Sequence, residues 1–545
     1  MARPDIQRRS GGALVRGAGD RIHWTKSLIN KRRSMMEGNK QSSSFTGREP
    51  WLVLGLACLV IHLIFNGGYG IFRDELYFIV CGDRLAWGYV DQPPLIPLLA
   101  SWSHALFGNF LVGFRLVPAL ALSATVALSA EFARTLGGGR FAQWLAGLCV
   151  LCSPAFLGMG LLFTTDTFQP LTWLACGWFL VRLAQTGEER WWIPFGVVVG
   201  VSLLSKYAMA FYVVALGIGL LATPARRSLL RPWLYVGALI GAILVLPNVL
   251  WQQAHGWPFL ELGKAAVNGK NVALSPAAFF VQQLLVMGPF AAPVWIAGLW
   301  ACSRRPQLAV YRAFPIAYAI LFVFFVIMHG KAYYLTPIYP TLLGIGAVAV
   351  ERWLQNPRWR PAALGAVAVS GAIAAPMAIP ILPERAFIAY STMLGLAPSA
   401  TAAEHQKLGL LPQHFADQHG WVEMAAQVAK VYNALPPADR AKAVFLGLDY
   451  GQAAAIDIFG RPLGLPPAIS GHNNYYLWGP QGHDGSVLIV LGPYSGGLLP
   501  AYGRVEIVGE INNPYAMPYE TGPIYVLRDP KAPFSFIWPR LRHYE

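Results

Sequence analysis

Residues 72–78 read FRDELYF and follow directly on the first long apolar run of the chain, which begins at Trp51. The stretch places two adjacent carboxylates, Asp74 and Glu75, at the mouth of a membrane domain. Ionisable side chains at membrane depth are costly and usually mark function. The fold predicted for this chain therefore has to give both acids a polar surrounding at the end of a membrane span.

Composition indicates a polytopic α-helical membrane protein. Of the 545 residues, 55% are hydrophobic and 13% are charged, against roughly 25% charged residues in soluble domains. Apolar runs recur from Trp51 to about Pro380, and each needs about 20 residues to cross a bilayer. The net charge of +15 does not indicate nucleic-acid binding, because the Lys and Arg residues cluster in the first 50 residues and in short loops between apolar runs. That distribution is the one that membrane orientation requires.

About eleven transmembrane helices are predicted. They cover residues 51–71, 110–134, 141–160, 168–185, 191–206, 207–223, 233–251, 278–300, 309–328, 335–350 and 361–381. Residues 191–223 are interpreted as two short helices broken near Lys206, because one long helix would put every later basic loop on the opposite side. The basic N-terminal arm and the Arg-rich loops then share the cytoplasmic side, and the region after about Pro383 lies outside.

Three regions follow from this threading. Residues 1–49 are basic, and they are either a disordered cytoplasmic arm that touches anionic lipid or an over-extended gene start. Residues 50–382 form the transmembrane domain. Residues 383–545 are predicted to form an α/β domain on the outer, periplasmic face, because the helical spacing of residues 421–435 is followed by short β-rich runs. These runs are KAVFLGL (442–448), SVLIVLG (486–492), RVEIVGEI (504–511) and PIYVLRD (523–529).

Polar side chains of the outer connections collect on one face in this topology. They are Asp74, Glu75, Tyr77, Asp91 and Gln92 in the first outer loop, Asp166 in LFTTDTFQP, Lys206 in LLSKYAM, His255 in QQAHGW, and His329, Lys331, Tyr333 and Tyr334 in MHGKAYYLTPIYP. Each alone has an ordinary explanation: a helix N-terminal acid, a snorkelling lysine, an aromatic belt or a satisfied interfacial histidine. Their convergence on one face is the stronger indication of a site.

The first outer loop is predicted to begin with a helix at Asp74. Helical spacing puts Asp74, Tyr77 and Cys81 on one face. Asp74 and Glu75 diverge by about 100° around the axis, so they are expected to have different roles. We expect this helix to lie in the membrane interface with its polar side toward water or a cavity.

The chemistry that needs such a set is the transfer of a sugar from a lipid phosphate. The acceptor hydroxyl loses its proton as it attacks, so a carboxylate base is required within hydrogen-bond reach. The leaving group is an anionic phosphate held in the membrane, and a cation with phenolic donors is suited to receive it. A second acid either binds sugar or acceptor, or shares a divalent metal with the first.

The chain resembles the lipid-phosphate-sugar-dependent glycosyltransferases of the GT-C class, and among them bacterial members of glycosyltransferase families 39 and 83. These families include protein O-mannosyltransferases and the aminoarabinose transferases acting on lipid A. The resemblance runs from about Trp51 to Pro340. It rests on FRDELYF, on WGYVDQPPL (87–95), on Asp166, on the Ser-Lys of LLSKYAM and on KAYYLTPIYP (331–340).

The resemblance implies roles for individual residues. Asp74 is the implied catalytic acid with Glu75 in support, Asp166 is the second loop acid, and Lys331 with Tyr334 lies near the donor phosphate. Further candidates for binding the donor phosphate are Tyr333, as the alternative to Tyr334, and Lys206. The candidates for lining the substrate cavity are Tyr77, Asp91, Gln92, His255 and His329.

The cofactor and the acceptor stay open at this point. If a divalent ion (Mg²⁺, Mn²⁺ or Zn²⁺) is bound, Asp74 and Asp166 are its candidate ligands. The C-terminal region lacks the β-trefoil repeats of eukaryotic protein mannosyltransferases, which favours a lipid or envelope glycan over a protein as acceptor. The leading hypothesis is an inverting polyprenyl-phosphate-sugar transferase of the bacterial inner membrane. The alternative is a secondary transporter or lipid flippase, which is expected to show internal repeats and charged sites near the midplane.

Overall fold

The computed structural model describes residues 49–265, 267, 271–396, 398, 405–492 and 498–544. The predicted N-terminal arm lies outside the described residues apart from Glu49, which begins the first helix. Apart from one-turn helices and 3₁₀ turns, the helices before residue 400 are α1 Glu49–Phe65, α2 Arg73–Asp83, α3 Leu95–Phe107, α4 Leu116–Thr135, α5 Arg140–Leu151, α6 Pro154–Leu161, α7 Gln169–Thr186, α8 Trp192–Leu203, α9 Ala208–Leu221, α10 Pro232–Ala254, α11 Pro258–Ala265, α12 Pro276–Met287, α13 Ala292–Arg304, α14 Ala313–Ile327, α15 Tyr339–Trp353, α16 Trp359–Ala374 and α17 Glu384–Met393.

Several of the apolar segments are bent rather than straight. Five helical segments of the described chain are long and apolar enough to cross a membrane, and the number rises to eight if each bent pair is one span. The predicted spans 141–160 and 278–300 are two such pairs, bent by 63° between α5 and α6 and by 116° between α12 and α13. Gly288 ends α12 with a φ of +86°, which glycine adopts without the steric cost of a side chain. The count of eleven spans stays a prediction.

The predicted interruption near Lys206 is confirmed. Helix α8 ends at Leu203 and α9 begins at Ala208, which leaves Lys206 in a short non-helical connection. The carbonyl oxygen of Leu204 in this connection accepts a hydrogen bond of 2.9 Å from the amide of Leu95. The break therefore joins the first outer loop to the helical bundle.

Helix α2 is buried, which corrects the expectation of a helix lying in the membrane interface. All its residues except Asp74 and Asp83 are buried. The apolar run from Leu76 to Cys81 covers most of the helix circumference, and a helix that is apolar all round needs cover on every side. The region after residue 405 supplies this cover, because α2 shares one apolar cluster with Trp421, Val428 and Ile489.

The C-terminal region is an α/β layer with a five-stranded mixed sheet. Its longer helices are α18 Trp421–Ala434, α19 Tyr450–Ala455 and α20 Asn473–Trp478, and its strands are β1 Ala443–Gly447, β2 Ile469–Ser470, β3 Val487–Leu491, β4 Tyr502–Ile511 and β5 Gly522–Pro530. The strand order is β2-β1-β3-β5-β4, with β1 parallel to β2 and β3, and β5 antiparallel to β3 and β4. The four β-rich runs and the helix expected at 421–435 are confirmed. The strand β2 was not predicted, because its two residues are too few to form a β-rich run.

A fully buried ion pair fixes the start of α2. Arg115 Nε and Nη2 donate to the two carboxylate oxygens of Glu75 at 2.8 and 2.7 Å, and both side chains are fully buried. Glu75 also accepts from the backbone amides of Phe72 and Phe163, each at 2.8 Å. The remaining Arg115 donors bind the carbonyl of Asn66 and that of Gly70, both at 2.7 Å. One pair thus joins the end of α1, the start of α2, α4 and the segment before α7.

A second buried polar cluster joins α2 to the C-terminal region. Arg73 Nη1 donates to the hydroxyl of Tyr519 at 2.6 Å, and this hydroxyl donates to Asp417 Oδ1 at 2.6 Å. Burial raises the pKa of Asp417 to about 6, although the neighbouring Arg73 opposes the shift. Burial, together with the charges of Asp417 and Asp449, raises the pKa of Glu520 well above its usual range. The cluster contains more buried acids than cations, so part of it takes up protons on folding.

Breaking the Glu75–Arg115 pair is expected to destabilise the fold strongly. Arg115→Ala leaves an uncompensated buried carboxylate, which costs about 3–5 kcal/mol. The matched control is Arg134→Ala. Arg134 pairs with Glu131, and its side chain is 41% exposed, so the loss of this pair costs less than about 1 kcal/mol. Thermal unfolding in lipid nanodiscs measures both variants. Equal losses of Tm would contradict the anchoring role of Arg115.

The stability of the protein is expected to fall as the pH rises through the titration of the buried acids. The pKa values of Asp417 and Glu520 are higher in the folded state than in the unfolded state, so the folded state binds more protons. The resulting contribution to the free energy of unfolding is full below about pH 4 and decreases as the pH rises through about pH 6 and above. Glu520→Gln should flatten the slope and raise Tm at pH 8 by roughly 2–4 °C. Glu510→Gln, on the exposed face of β4, is the control. A slope of Tm against pH that Glu520→Gln leaves unchanged would contradict this assignment.

Candidate functional site

Asp74 is the acid of the FRDELYF stretch that reaches an accessible surface. It lies in the first turn of α2, and its side chain is 28% exposed. Its Oδ1 accepts hydrogen bonds from the Tyr450 hydroxyl at 2.8 Å and from Arg73 Nε at 3.3 Å. A carboxylate has about four lone-pair sites, so these two bonds orient Asp74 and leave it capacity for a further donor.

Glu75 points away from Asp74, as the helical spacing predicted. The structure places it in the core, where two backbone amides and Arg115 occupy its oxygens. The contacts make Glu75 a positioning residue for α2 rather than a group facing a substrate. Arg115 was missed from the sequence, although a charged residue inside the apolar run 110–134 is itself a signal.

Tyr77 and Asp91 adjoin Asp74 through Tyr450. The Tyr77 hydroxyl donates to Asp91 Oδ1 at 2.9 Å, and its ring stacks on that of Tyr450 with centroids 4.4 Å apart. Asp74 and Tyr77 therefore share a face of α2 as predicted, and both contact the same tyrosine of the C-terminal region. Gln92, another predicted cavity residue, is buried. Nothing in the local sequence around Tyr450 indicated its place in the site.

A second cluster forms around Asp166 and Lys206. The Lys206 ammonium lies 2.6 Å from Asp166 Oδ2. It also lies 4.5 Å from the ring centroid of Tyr334 and 5.9 Å from that of Tyr333, and Lys331 Nζ lies 6.0 Å from the Tyr333 ring. Cations at such distances are attracted to the faces of aromatic rings. The structure thus brings together five predicted residues from three separate connections.

The first outer loop physically links the two clusters. The side chains of Asn248 and Gln252 on α10 donate to the carbonyls of Trp87 and Tyr89 at 2.8 and 2.9 Å. The hydroxyl of Tyr207, which follows Lys206 in sequence, donates to Asn248 Oδ1 at 2.8 Å. Asn248 and Gln252 were missed from the sequence, although an amide pair spaced i, i+4 in an apolar helix marks a shared polar face.

The two predicted histidines lie elsewhere. His255 is exposed, stacks on Trp251 at 4.0 Å between centroids and bonds the carbonyl of that residue at 2.8 Å. His329 has a φ of +49°, and its Nδ1 lies 3.1 Å from the carbonyl oxygen of Val267. Both rings therefore have a backbone carbonyl as partner, four residues away for His255 and in a different segment for His329.

The donor set of this site does not favour a divalent ion. No group of three or more His, Cys, Asp or Glu residues suited to a metal occurs within residues 49–265, 267, 271–396, 398, 405–492 and 498–544. The two candidate ligands are each paired with a cation, Asp74 with Arg73 and Asp166 with Lys206. Their negative charge is already compensated by these cations.

Comparisons with known proteins agree with the resemblance. A family model described as dolichyl-phosphate-mannose-protein mannosyltransferase matches residues 91–251. A lipid A galacturonosyltransferase (RgtD) of Rhizobium johnstonii is 24% identical over 285 residues, which cover 49% of this chain and 58% of that protein. The chain thus matches little more than half the length of this relative.

Solved structures match over nearly the whole chain. The crystal structure of ArnT from Cupriavidus metallidurans bound to undecaprenyl phosphate superposes with a TM-score of 0.58 at 16% identity, covering 89% of this chain and 98% of ArnT. The apo structure of the same protein superposes with a TM-score of 0.54 at 15% identity, covering 87% of this chain and 97% of ArnT. At this level of identity the similarity establishes architecture, and the helical bundle with its C-terminal α/β layer is common to both proteins. This chain therefore has the GT-C fold, as its sequence motifs predicted.

Proposed function

We propose that this chain is an inverting glycosyltransferase that moves a sugar from a polyprenyl-phosphate donor to lipid A or another envelope glycan. The observation that carries the proposal is the pair of clusters joined by one loop. An oriented, accessible carboxylate at Asp74 lies on one side, and a cation at Lys206, faced by Tyr334, lies on the other. The two halves have the opposite chemistries that glycosyl transfer from an anionic lipid requires.

The Lys206 cluster is suited to the donor phosphate. An ammonium group has three donors, so Lys206 can keep its bond to Asp166 and still donate to a phosphate oxygen. Asp166 holds the lysine in place, while Lys331 and the phenols of Tyr333 and Tyr334 extend the polar surface around it. Positive charge and donors fixed in this way stabilise the negative charge that develops on the leaving phosphate. The undecaprenyl phosphate of the ArnT structure supports this class of donor.

Asp74 is proposed as the general base. As the acceptor oxygen forms its bond to the anomeric carbon, the bond from that carbon to the phosphate oxygen breaks. The hydroxyl proton passes to Asp74, and polyprenyl phosphate leaves with the electron pair. The hydrogen bonds from Tyr450 and Arg73 hold the carboxylate in one orientation. Such positioned proton transfer contributes about 10²–10⁴-fold to a rate.

The acceptor and the orientation belong to the same proposal. The galacturonosyltransferase relative acts on lipid A, which supports a lipid or envelope-glycan acceptor over a protein. The Arg-rich loops support a cytoplasmic N-terminus in the bacterial inner membrane. The C-terminal α/β layer, and the site that it covers, then lie in the periplasm, where a finished envelope lipid is available.

Replacing the proposed base should abolish transfer without unfolding the protein. Asp74→Asn keeps the shape of the side chain and removes its basicity, so kcat should fall by about 10²–10⁴-fold. The assay incubates purified protein in nanodiscs with a panel of undecaprenyl-phosphate sugars and measures released lipid phosphate by mass spectrometry. Asp83→Asn is the matched control, since Asp83 is exposed at the far end of the same helix. Full turnover by Asp74→Asn would remove Asp74 from the mechanism.

Replacing the proposed phosphate ligand should impair the donor half of the reaction. Lys206→Met removes the charge and keeps a side chain of similar length. The lost hydrogen bond to a charged group is worth about 1.5–3 kcal/mol. We therefore expect the donor KM to rise by roughly 10–100-fold, or kcat to fall by the same factor. Lys264→Met, on the exposed face of α11, is the control. Donor kinetics equal in the two variants would place the phosphate elsewhere. If the unmodified protein releases lipid phosphate from none of the donors, a transport function is favoured instead.

A further inference from the structure

A cavity of about 620 Å³ lies at the carboxyl ends of β1 and β2. Leu448 and Asp449, which follow β1, and His472, which follows β2, line it, and Arg73 of α2 lines it from the helical part. Ligands of α/β folds bind in the crevice outside the carboxyl ends of parallel strands. A volume of this size falls within the roughly 300–1,000 Å³ typical of ligand pockets. None of its lining residues is a predicted site residue, although Arg73 and Tyr450 also contact Asp74.

Rings form a continuous wall of the cavity. The ring of His472 lies between those of Tyr450 and His543, with centroids 4.6 and 4.4 Å apart. Tyr519 lines the cavity as well and is held by Arg73. Tyr450 and His472 are buried and stacked between other rings. In contrast, His543 and Tyr519 are half-buried and have exposed ring surface. A ring face of this kind, apolar with a polar tip, complements a pyranose, whose C–H face is apolar and whose rim carries hydroxyl groups.

The polar groups of the cavity suit the hydroxyl rim. Asp449 is an acceptor, Lys407 is a donor, and the amide of Gln406 is both. Asp449 is fixed because its Oδ1 accepts a hydrogen bond of 2.9 Å from the amide of Gln452. A few placed polar groups on an aromatic wall are the usual means by which a pocket fixes the orientation of its ligand.

The wall of the cavity is preorganised at Arg73. The guanidinium is held by Tyr519 and Asp417. A Cβ on Gly451 would lie 2.3 Å from Arg73 Cγ, so only glycine at position 451 lets the arginine stem lie along the backbone of α19. The two elements that form the cavity are therefore in close contact, and the cavity shape depends on both.

We propose that this cavity binds the saccharide part of the acceptor, an inference that rests on the glycosyltransferase function proposed above. Tyr450 connects the two sites, because it lines the cavity and also donates to Asp74. A sugar in the cavity is thus separated from the proposed base by one side chain, that of Tyr450. The C-terminal layer then selects the acceptor, while the helical bundle holds the lipid-linked donor.

The test combines saccharide binding with acceptor kinetics on the full chain in nanodiscs. The variants are Lys407→Ala and His543→Ala, and the control is Lys430→Ala, an exposed lysine of α18 that does not line the cavity. The probes are deacylated lipid A and free glucosamine, followed by saturation-transfer NMR, so that an acceptor glycan is distinguished from a small free sugar. Each loss of a hydrogen bond or ring contact is expected to weaken binding of deacylated lipid A by about 3–10-fold.

The outcomes separate this inference from the proposed function. The inference predicts that both cavity variants raise the KM for intact acceptor more than they lower kcat, while Lys430→Ala matches the unmodified protein. Unchanged acceptor KM in both variants overturns it, as does binding of free glucosamine alone. If the unmodified protein turns over no donor but the cavity variants still bind saccharide more weakly, the cavity is a saccharide site and its role in binding the acceptor is contradicted.

Discussion

The buried pair between Glu75 and Arg115 is the constraint on which the site depends. A carboxylate without water is tolerable only when its lone pairs are satisfied, and here two backbone amides and a bidentate guanidinium satisfy them. The pair fixes the rotation of α2 about its axis. Since neighbouring helix positions are about 100° apart, burying Glu75 directs Asp74 toward Tyr450. The adjacent acids thus have complementary roles, one setting the helix orientation and the other using it.

The cluster around Lys206 in the helical bundle shows a related arrangement. Asp166 and Lys206 lie in short irregular connections between helices, and Tyr334 lies in the 3₁₀ helix Ala332–Ile338 that leads into α15. Irregular backbone near the membrane needs polar partners, and the side chains of Asn248 and Gln252 supply some of them to the first outer loop. Asn248 also accepts from the hydroxyl of Tyr207, so the same helix contacts both the first outer loop and the connection that carries Lys206.

Much of the architecture was accessible from the sequence because its signals are local. Apolar length predicted the membrane part, short β-rich runs predicted β1, β3, β4 and β5, and the charge rule predicted the break beside Lys206. The grouping of Asp166 with Lys206 and the tyrosines also followed, since residues at the same ends of successive spans meet. Tyr450 and the cover of α2 could not be predicted. Both depend on packing between segments more than 300 residues apart, and no pattern within either segment encodes that packing.

The burial of α2 also has a consequence for how the protein is made. The helix is synthesised early, whereas Trp421, Val428 and Ile489, which cover it, follow much later. An apolar segment left uncovered in the meantime is prone to misassembly, so α2 needs other cover until the C-terminal layer has been synthesised and has folded. The two parts are therefore expected to mature together, and an isolated C-terminal fragment would carry an open apolar floor instead of a finished surface.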